Sequence, residues 1–429
     1  MKQKIYAQDS HQLDIRLVDR DALYVLEKLT ASGHVAYLVG GGVRDLLLMK
    51  KPKDYDISTS AEPEEIRKLF RNCILIGRRF RLAHIRFGKK IIEVSTFRSG
   101  DNENDALIIR DNVWGSPEED VLRRDFTING LFYDAAKQTI IDYVGGFKDL
   151  EKKCLRTIGQ PFIRFKQDPV RMIRLLKFRA RFGLDIEHDT RLALIESKQE
   201  IMKSSSTRIL EELLRMLESG SAKDFFLLMI EYGLLQLLLP ALASFMETSE
   251  GSIIYSFLEA VDAWNLKEEK IPLDRSILLS ALAFPLFQKR IHILHSRKDK
   301  PPHFGEIQDE AFQIIHEAFG SFFLIPKRLK IIAASILTLQ FKIVPLDKKR
   351  LRPPRIPNDP SFPFALDFFE LRSILDPSLQ KTLDQWKELM GPPSETPIPT
   401  LEYPKKKRRK RKIKARKPSS DATPPPTDS

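Results

Sequence analysis

LVGGGVRDLLLMKKPKDYDIST, Leu38 to Thr59, reads as strand, glycine turn, helix, loop and strand in quick succession. On the second strand Asp54 and Asp56 stand two residues apart, so both carboxylates project from one face while Tyr55 and Ile57 take the other. Two carboxylates that close repel each other unless a cation sits between them, and hard oxygen ligands at this spacing suit Mg²⁺. At the end of the first strand Gly40, Gly41 and Gly42 leave room for backbone N–H groups to approach a phosphate, and Arg44 follows on the next turn as a cation for it. Each piece alone has a plainer reading, a turn for the glycines and a solvated loop or cap for the D-x-D. In this order, fourteen residues apart from Gly40 to Asp54, they point together to a metal-assisted phosphate site.

Outward from this segment, Val35 to Val39, Asp54 to Thr59, Cys73 to Ile76, His84 to Phe87, Ile91 to Phe97 and Thr139 to Val144 read as strands among helices. From Asp168 to about Val344 helical spacing takes over, as in Ile209, Leu210, Leu213, Leu214 and Leu217, with Gly220 as a stop. The expected fold class is α+β, a mixed head followed by an all-α neck and body. Fifteen of the 27 prolines fall in the last 79 residues, where one helix, about Leu379 to Met390, is expected. Beyond Gly391 proline and charge leave too little apolar surface to offset chain entropy, which predicts disorder.

The 429 residues carry 71 Lys and Arg against 58 Asp and Glu. Eleven of the thirteen residues from Lys405 to Lys417 are basic, which leaves only +2 of the net +13 for the rest, so a basic tail is joined to a nearly neutral body. Cys73 and Cys154 supply neither a disulfide framework nor a zinc set. The N-terminal MKQKIYAQDSHQLDI has no apolar stretch or small-residue cleavage site, so a reducing, cytoplasmic setting is expected. The apolar run Phe225 to Phe245 is interrupted by Glu231, Gly233, Gln236 and Pro240; it reads as two core helices joined at a turn, and no membrane span is expected.

Leu38 to Thr59 resembles the signature of the class II nucleotidyltransferases that build RNA 3′ ends, bacterial poly(A) polymerases and CCA-adding enzymes within the DNA polymerase beta superfamily. RRDFTINGLFYD (Arg123 to Asp134), DYVGGFKDL (Asp142 to Leu150), QDPVRMIRLLKF (Gln167 to Phe178) and GLLQLLLP near residue 240 extend the resemblance over about residues 20 to 245. It implies a polymerase-beta-like catalytic head over 15–160, a nucleotide- and RNA-binding neck over 161–222, a helical body over 223–400 and a basic tail over 401–429.

The resemblance also implies roles. Asp54 and Asp56 would bind two Mg²⁺ ions, and Asp125 would be a third active-site carboxylate, with Glu93 on IIEVSTF as another group that faces either the metals or solvent. Gly40, Gly41, Arg44, Arg123 and Arg124 would hold the phosphates or ribose of the nucleotide, and Asp168 and Arg171 would read its base, Asp168 doubling as a helix N-cap before Pro169. Two departures stand out: Met49 replaces a usual Gly, so the helix exit is expected to be handled differently, and Gln167 replaces a usual Glu, which is expected to loosen Arg171.

LIGRRFRLAHI, Leu75 to Ile85, is similar to the arginine-rich segment of bacterial poly(A) polymerases, as is RDNVWGSPEED, and implies RNA contacts from Arg78, Arg79 and Arg81. The tail residues Lys405, Lys406, Lys407, Arg408, Arg409, Lys410, Arg411 and Lys412 suit RNA phosphates without regard to sequence. The expected activity is template-independent transfer of AMP from ATP to the 3′ ends of mRNA or other single-stranded RNA. The alternatives are a CCA-adding enzyme and an RNA-binding protein with an inactive head.

Overall fold

The computed structural model describes residues 3–77, 81–99, 113–267, 271–297, 300–346 and 355–391. The head is built on an eight-stranded mixed sheet of β1 (Lys4–Tyr6), β2 (Ala36–Val39), β3 (Asp56–Thr59), β4 (Cys73–Ile76), β5 (Leu82–Phe87), β6 (Lys90–Thr96), β7 (Leu131–Asp134) and β8 (Thr139–Asp142). Their order is β1-β8-β7-β2-β3-β6-β5-β4, and only β3 and β6 run parallel. The helices Arg20–Ala31 and Pro63–Leu69 pack against the sheet. Asp19 caps the first by accepting from the Asp21 and Ala22 amides, and Ala22, Val25, Leu26 and Leu29 form its buried stripe.

Two strands go beyond the sequence reading. β1 is a three-residue edge strand, and β7 is buried at all four positions, so it carries no polar alternation to mark it. The second strand of the signature starts at Asp56, which leaves Asp54 in the loop before it, although Tyr55 and Ile57 do bury as the alternation requires. Beyond residue 168 one strand occurs among the described residues, β10 (Asp185–Ile186), which pairs with the equally unforeseen β9 (Cys154–Leu155).

The DYVGGFKDL segment is a structural brace. Asp142 accepts from four successive backbone amides, Val144 to Phe147, and Gly145 has φ +83°. A Cβ on Gly146 would collide with the Thr127 carbonyl, so the glycine lets this turn close on the loop that carries Asp125.

Neck helices Pro161–Gln167, Val170–Phe182 and Ser206–Leu217 lead into a body whose helices Ile253–Asn265, Arg275–Ser296, Phe304–Phe319, Lys327–Ile343 and Phe362–Leu375 pack together. Ile209, Leu210, Leu213, Leu214 and Leu217 form the predicted buried stripe. The run Phe225 to Phe245 holds three helices, Ala222–Glu231, Leu234–Leu238 and Pro240–Met246, instead of two. Phe362–Leu375 was not expected in a proline-rich region; Pro363 lies in its first turn, where a missing N–H costs nothing, and Phe368 stacks on Phe257 and meets Phe284 edge-on. The expected helix near the end runs Gln380–Met390. Among the described residues Arg275–Ser296 alone is long and apolar enough to cross a membrane by length and composition, and most of its apolar window is buried in the body. The expected disorder beyond Gly391 lies outside the described residues.

Candidate active site

Gly40 ends β2 with φ +66° and ψ −130°, a conformation open to glycine, and starts the helix Gly41–Leu47. A Cβ there would also lie 3.2 Å from Arg124 Nη1. Val39 pairs with Asp56 across β2 and β3, so the turn and the carboxylate share one end of the sheet. On its other side Asp56 stands in register with Glu93 of β6, and Glu93 in register with His84 of β5, whose Nε2 lies 2.9 Å from Glu93 Oε1. Burial and then Glu93 push the Asp56 carboxyl up to about 6, with Asp54 adding to the rise and Arg124 opposing it. Asp54 itself is exposed.

The two arginines of RRDFT are gripped from behind. Asp120, buried on the helix Pro117–Leu122, accepts from Arg123 Nε at 3.0 Å and Arg124 Nη2 at 2.8 Å. Against the upward push of burial, Arg124 and Arg123 hold the Asp120 carboxyl below the ordinary range. Arg124 Nη2 also donates to Ser58 on β3, 3.2 Å away.

Asp125 lies deeper. Its Oδ1 accepts from the Phe126 amide and Asn129 Nδ2, and its Oδ2 lies 2.8 Å from Arg174 Nη2. Although burial raises it, the Arg174 charge followed by the Asn129 bond keeps this carboxyl ionised below the usual range. The residue expected as a third active-site carboxylate thus lines the cleft with Arg174 against it, and the carboxylate in register with Asp56 is Glu93.

The cleft, about 450 Å³, is lined by Gly40, Gly41, Arg44, Asp56, Arg123, Arg124, Asp125, Asn129, Asp168, Arg171, Arg174, Lys177, Phe178 and Arg181. Seven cations face three carboxylates, a balance that suits a bound polyanion. The neck helix Val170–Phe182 supplies Arg171, Arg174, Lys177, Phe178 and Arg181 at helical spacing, so one face of it forms a wall of the cleft. Lys177 Nζ pairs with Glu212 Oε2 at 2.6 Å, and burial pushes the ammonium down against that pairing.

Of the residues expected at the site, Gly40, Gly41, Arg44, Asp56, Arg123, Arg124, Asp125, Asp168 and Arg171 line this cleft; Asp54 does not. Arg44 differs from the phosphate cation expected of it. Its guanidinium is 4% exposed, donates to Asp45 Oδ1 and Asn129 Oδ1, and lies 4.5 Å from the Phe182 ring and 4.9 Å from that of Phe178. Asp168 is not the N-cap of Val170–Phe182, a place Pro169 takes; it stands at the C-cap of Pro161–Gln167, and its two oxygens accept from Arg208 Nη1 and Nη2 at 3.0 and 2.9 Å. Gln167 Oε1 accepts from Arg164 Nη1 at 3.0 Å, and Arg171 Nη2 donates to the Arg123 carbonyl at 2.9 Å. Met49 adopts φ +56°, so the helix exit keeps the left-handed turn despite the missing glycine. Arg81 pairs with Glu64 on the helix Pro63–Leu69 and is not part of the cleft lining, while Arg78, Arg79 and Lys405 to Lys412 lie outside the described residues.

Sequence reading missed Asp120, Arg174, Lys177, Arg181 and Arg208. Asp120 had a local signal, three and four residues before the two arginines on a helical turn, and the neck cations recur every three or four residues after Arg171. Arg208 had none.

A strand carboxylate beside a glycine turn, faced by a cationic helical wall, defines a nucleotidyltransferase head docked on its neck. Comparison with known proteins agrees. Three family descriptions match in order, a poly A polymerase head domain at residues 36–156, a probable RNA and SrmB-binding site of polymerase A at 183–246 and a polymerase A arginine-rich C-terminus at 306–419. Poly(A) polymerase I of Escherichia coli O6:H1 is 35% identical, over 98% of this chain and 93% of its own length. A CCA-adding enzyme of Bacillus velezensis is 34% identical over 52% of this chain and 56% of its own. In fold, the crystal structure of the Bacillus stearothermophilus CCA-adding enzyme in complex with CTP superposes with a TM-score of 0.60, 25% identity, and coverage of 86% of this chain and 82% of that one. The chain belongs to the poly(A) polymerase I family, RNA nucleotidyltransferases that add adenylate to 3′ ends.

Proposed function

We propose that the protein extends single-stranded RNA 3′ ends from ATP at the Asp56 end of the sheet, with Mg²⁺ held by Asp54 and Asp56. The observation that carries this reading is the position of Asp56, between the Gly40 turn and Glu93 at the mouth of a cleft with seven cations. Burial first and then the Glu93 carboxylate push Asp56 up to about 6, and a divalent cation would offset both by favouring the ionised form, so the residues fit the metal. Among the described residues no three acidic, His or Cys side chains are gathered as a closed cage. That accords with Mg²⁺, which keeps waters and takes the rest of its shell from one or two carboxylates and substrate phosphates.

When bound, two Mg²⁺ ions would supply acidification of the primer hydroxyl and charge neutralisation on the triphosphate. The chain's own residues do the rest. Arg123 and Arg124, aimed by Asp120, meet the phosphates, and Gly40 and Gly41 let them come close to the backbone. Asp168 accepts from the adenine amino group while Arg171 donates to a ring nitrogen. The described geometry supports a head over 15–160, a neck over 161–222 and a body after it; the basic run from Lys405 would hold RNA by its phosphates, and the setting would be cytoplasmic.

Offering each labelled NTP with a generic RNA primer and with a tRNA lacking its 3′ end tests the reading. Extension of generic RNA by ATP is expected, and CTP addition restricted to the truncated tRNA would overturn it. Deletion of residues 405–429 should flatten the salt dependence of RNA binding, by about 0.7 for each phosphate that the tail neutralises. An unchanged slope would assign the tail elsewhere.

A further inference from the structure

The face of the sheet that carries Asp56 continues past Glu93 to an edge strand, β4, that no other strand among the described residues pairs with on its outer side. In register across β3, β6, β5 and β4 stand Asp56, Glu93, His84 and Ile74. Ala83, Ile85, Ile92 and Val94, which alternate with these residues, are buried on the opposite face. Ile74 and Ile76 on β4 are each 45% exposed and Ile91 on β6 is 40% exposed, with exposed Arg86 paired to Ile91 on β5. One row thus runs from carboxylates to an apolar shelf.

We propose that this shelf is the track for the last nucleotides of the RNA, with the 3′ hydroxyl at Asp56 and Glu93 and the preceding base lying on Ile74 and Ile76. The inference rests on the polymerase reading above and extends it to the second substrate. In an in-line displacement the attacking oxygen and the leaving pyrophosphate lie on opposite sides of the phosphorus. The cationic cleft lies on the Gly40 and neck side of Asp56, so the attacking strand has to arrive from the other side, over β6 and β5. Strands are spaced about 4.8 Å, which places β4 about 14 Å from β3, a span of about two nucleotides. Stacking platforms for single-stranded nucleic acid are usually aromatic and sequence-tolerant; here aliphatic Ile74 and Ile76 offer an apolar surface in that place, and Arg86 stands beside the track for a phosphate. Continuity with the reacting row therefore favours single-stranded RNA as the occupant.

The test uses the full chain carrying Ile74→Glu or Ile74→Lys. A track for a polyanion predicts opposite effects, with KM for an RNA primer raised about tenfold by the carboxylate and lowered by the ammonium, and KM for ATP unchanged in both. A misfolded variant would not give effects of opposite sign. RNA carrying 4-thiouridine one nucleotide before its 3′ end should crosslink to the peptide containing Ile74 and Ile76. If the parent extends RNA with ATP but neither charge moves the primer KM, the track is wrong and the shelf serves another partner, such as a protein. A parent that fails to use ATP at all would remove the polymerase reading and the track with it.

Discussion

Arg208 closes on Asp168 with two parallel bonds, Nη1 to Oδ1 at 3.0 Å and Nη2 to Oδ2 at 2.9 Å. Arg208 belongs to the helix Ser206–Leu217 and is absent from the cleft lining, whereas Asp168 is part of it. The pair fixes the plane of the carboxylate, and on the proposed reading of adenine by Asp168 that plane sets how well the carboxylate meets the base's amino group. Arg208→Ala should therefore reduce discrimination of ATP against UTP by about tenfold, the equivalent of one charge-assisted bond. Arg208→Lys should restore little, because an ammonium lacks the fork. The kcat/KM ratio for the two nucleotides decides it, and equal ratios in all three proteins would show that Asp168 does not read the base.

Asp56→Asn should raise the melting temperature of the metal-free protein, since it removes a charge that burial and Glu93 disfavour. From the ordinary carboxyl range to about 6, the relief is of order 1–3 kcal/mol. The folded state binds the extra proton, so the gap should be full above pH 6 and close as pH falls towards 4. Added Mg²⁺ should raise the melting temperature of the parent and leave the variant's unchanged. A response to Mg²⁺ of equal size in both would place the ion elsewhere.

Asp125 is buried, and its charge is matched by Arg174, whose side chain keeps 37% of its surface open to the cleft. Asp125→Ala should cost about 1–3 kcal/mol in denaturant unfolding, because it leaves the Phe126 amide and Asn129 Nδ2 without their acceptor, and should cost activity as well. The carboxyl is held below its usual range, so its contribution is present at neutral pH and is lost as the solution is acidified below about pH 4. A variant of parental stability but no activity would return Asp125 to a purely chemical role.

Met49 holds φ +56° with 76% of its surface exposed, so its side chain gains little from the fold while its backbone is strained. Met49→Gly should stabilise the protein by up to about 1 kcal/mol without changing turnover. Thermal unfolding of the two proteins checks this, and a lower melting temperature for the variant would mean the strain is not there.

The signature segment was legible because its parts are neighbours in sequence and stay neighbours in space, whereas the antiparallel pairing of Val39 with Asp56 was not, since a strand–helix–strand pattern ordinarily gives a parallel pair. Nor were partners from distant segments. Arg44 looked like a free cation because the two rings that enclose it, Phe178 and Phe182, lie far along the chain on the neck helix Val170–Phe182. Asp168 looked like a cap for the same reason, its arginine arriving from another helix. β7 escaped because burial on both faces erases the period of two, and the helix Phe362–Leu375 because its proline was counted as a breaker although it sits where a helix accepts one.

The enclosure of Arg44 also limits how this protein can be taken apart and recombined. The arginine starts in the head, on the helix that follows the glycine turn, while both of its rings belong to the neck. A chimaera that grafts this head onto another neck would bury a guanidinium without its aromatic walls, and one that grafts the neck alone would leave two rings facing a gap. The unit of exchange is therefore not a domain with its boundary near residue 160, but the head together with the stretch through Phe182.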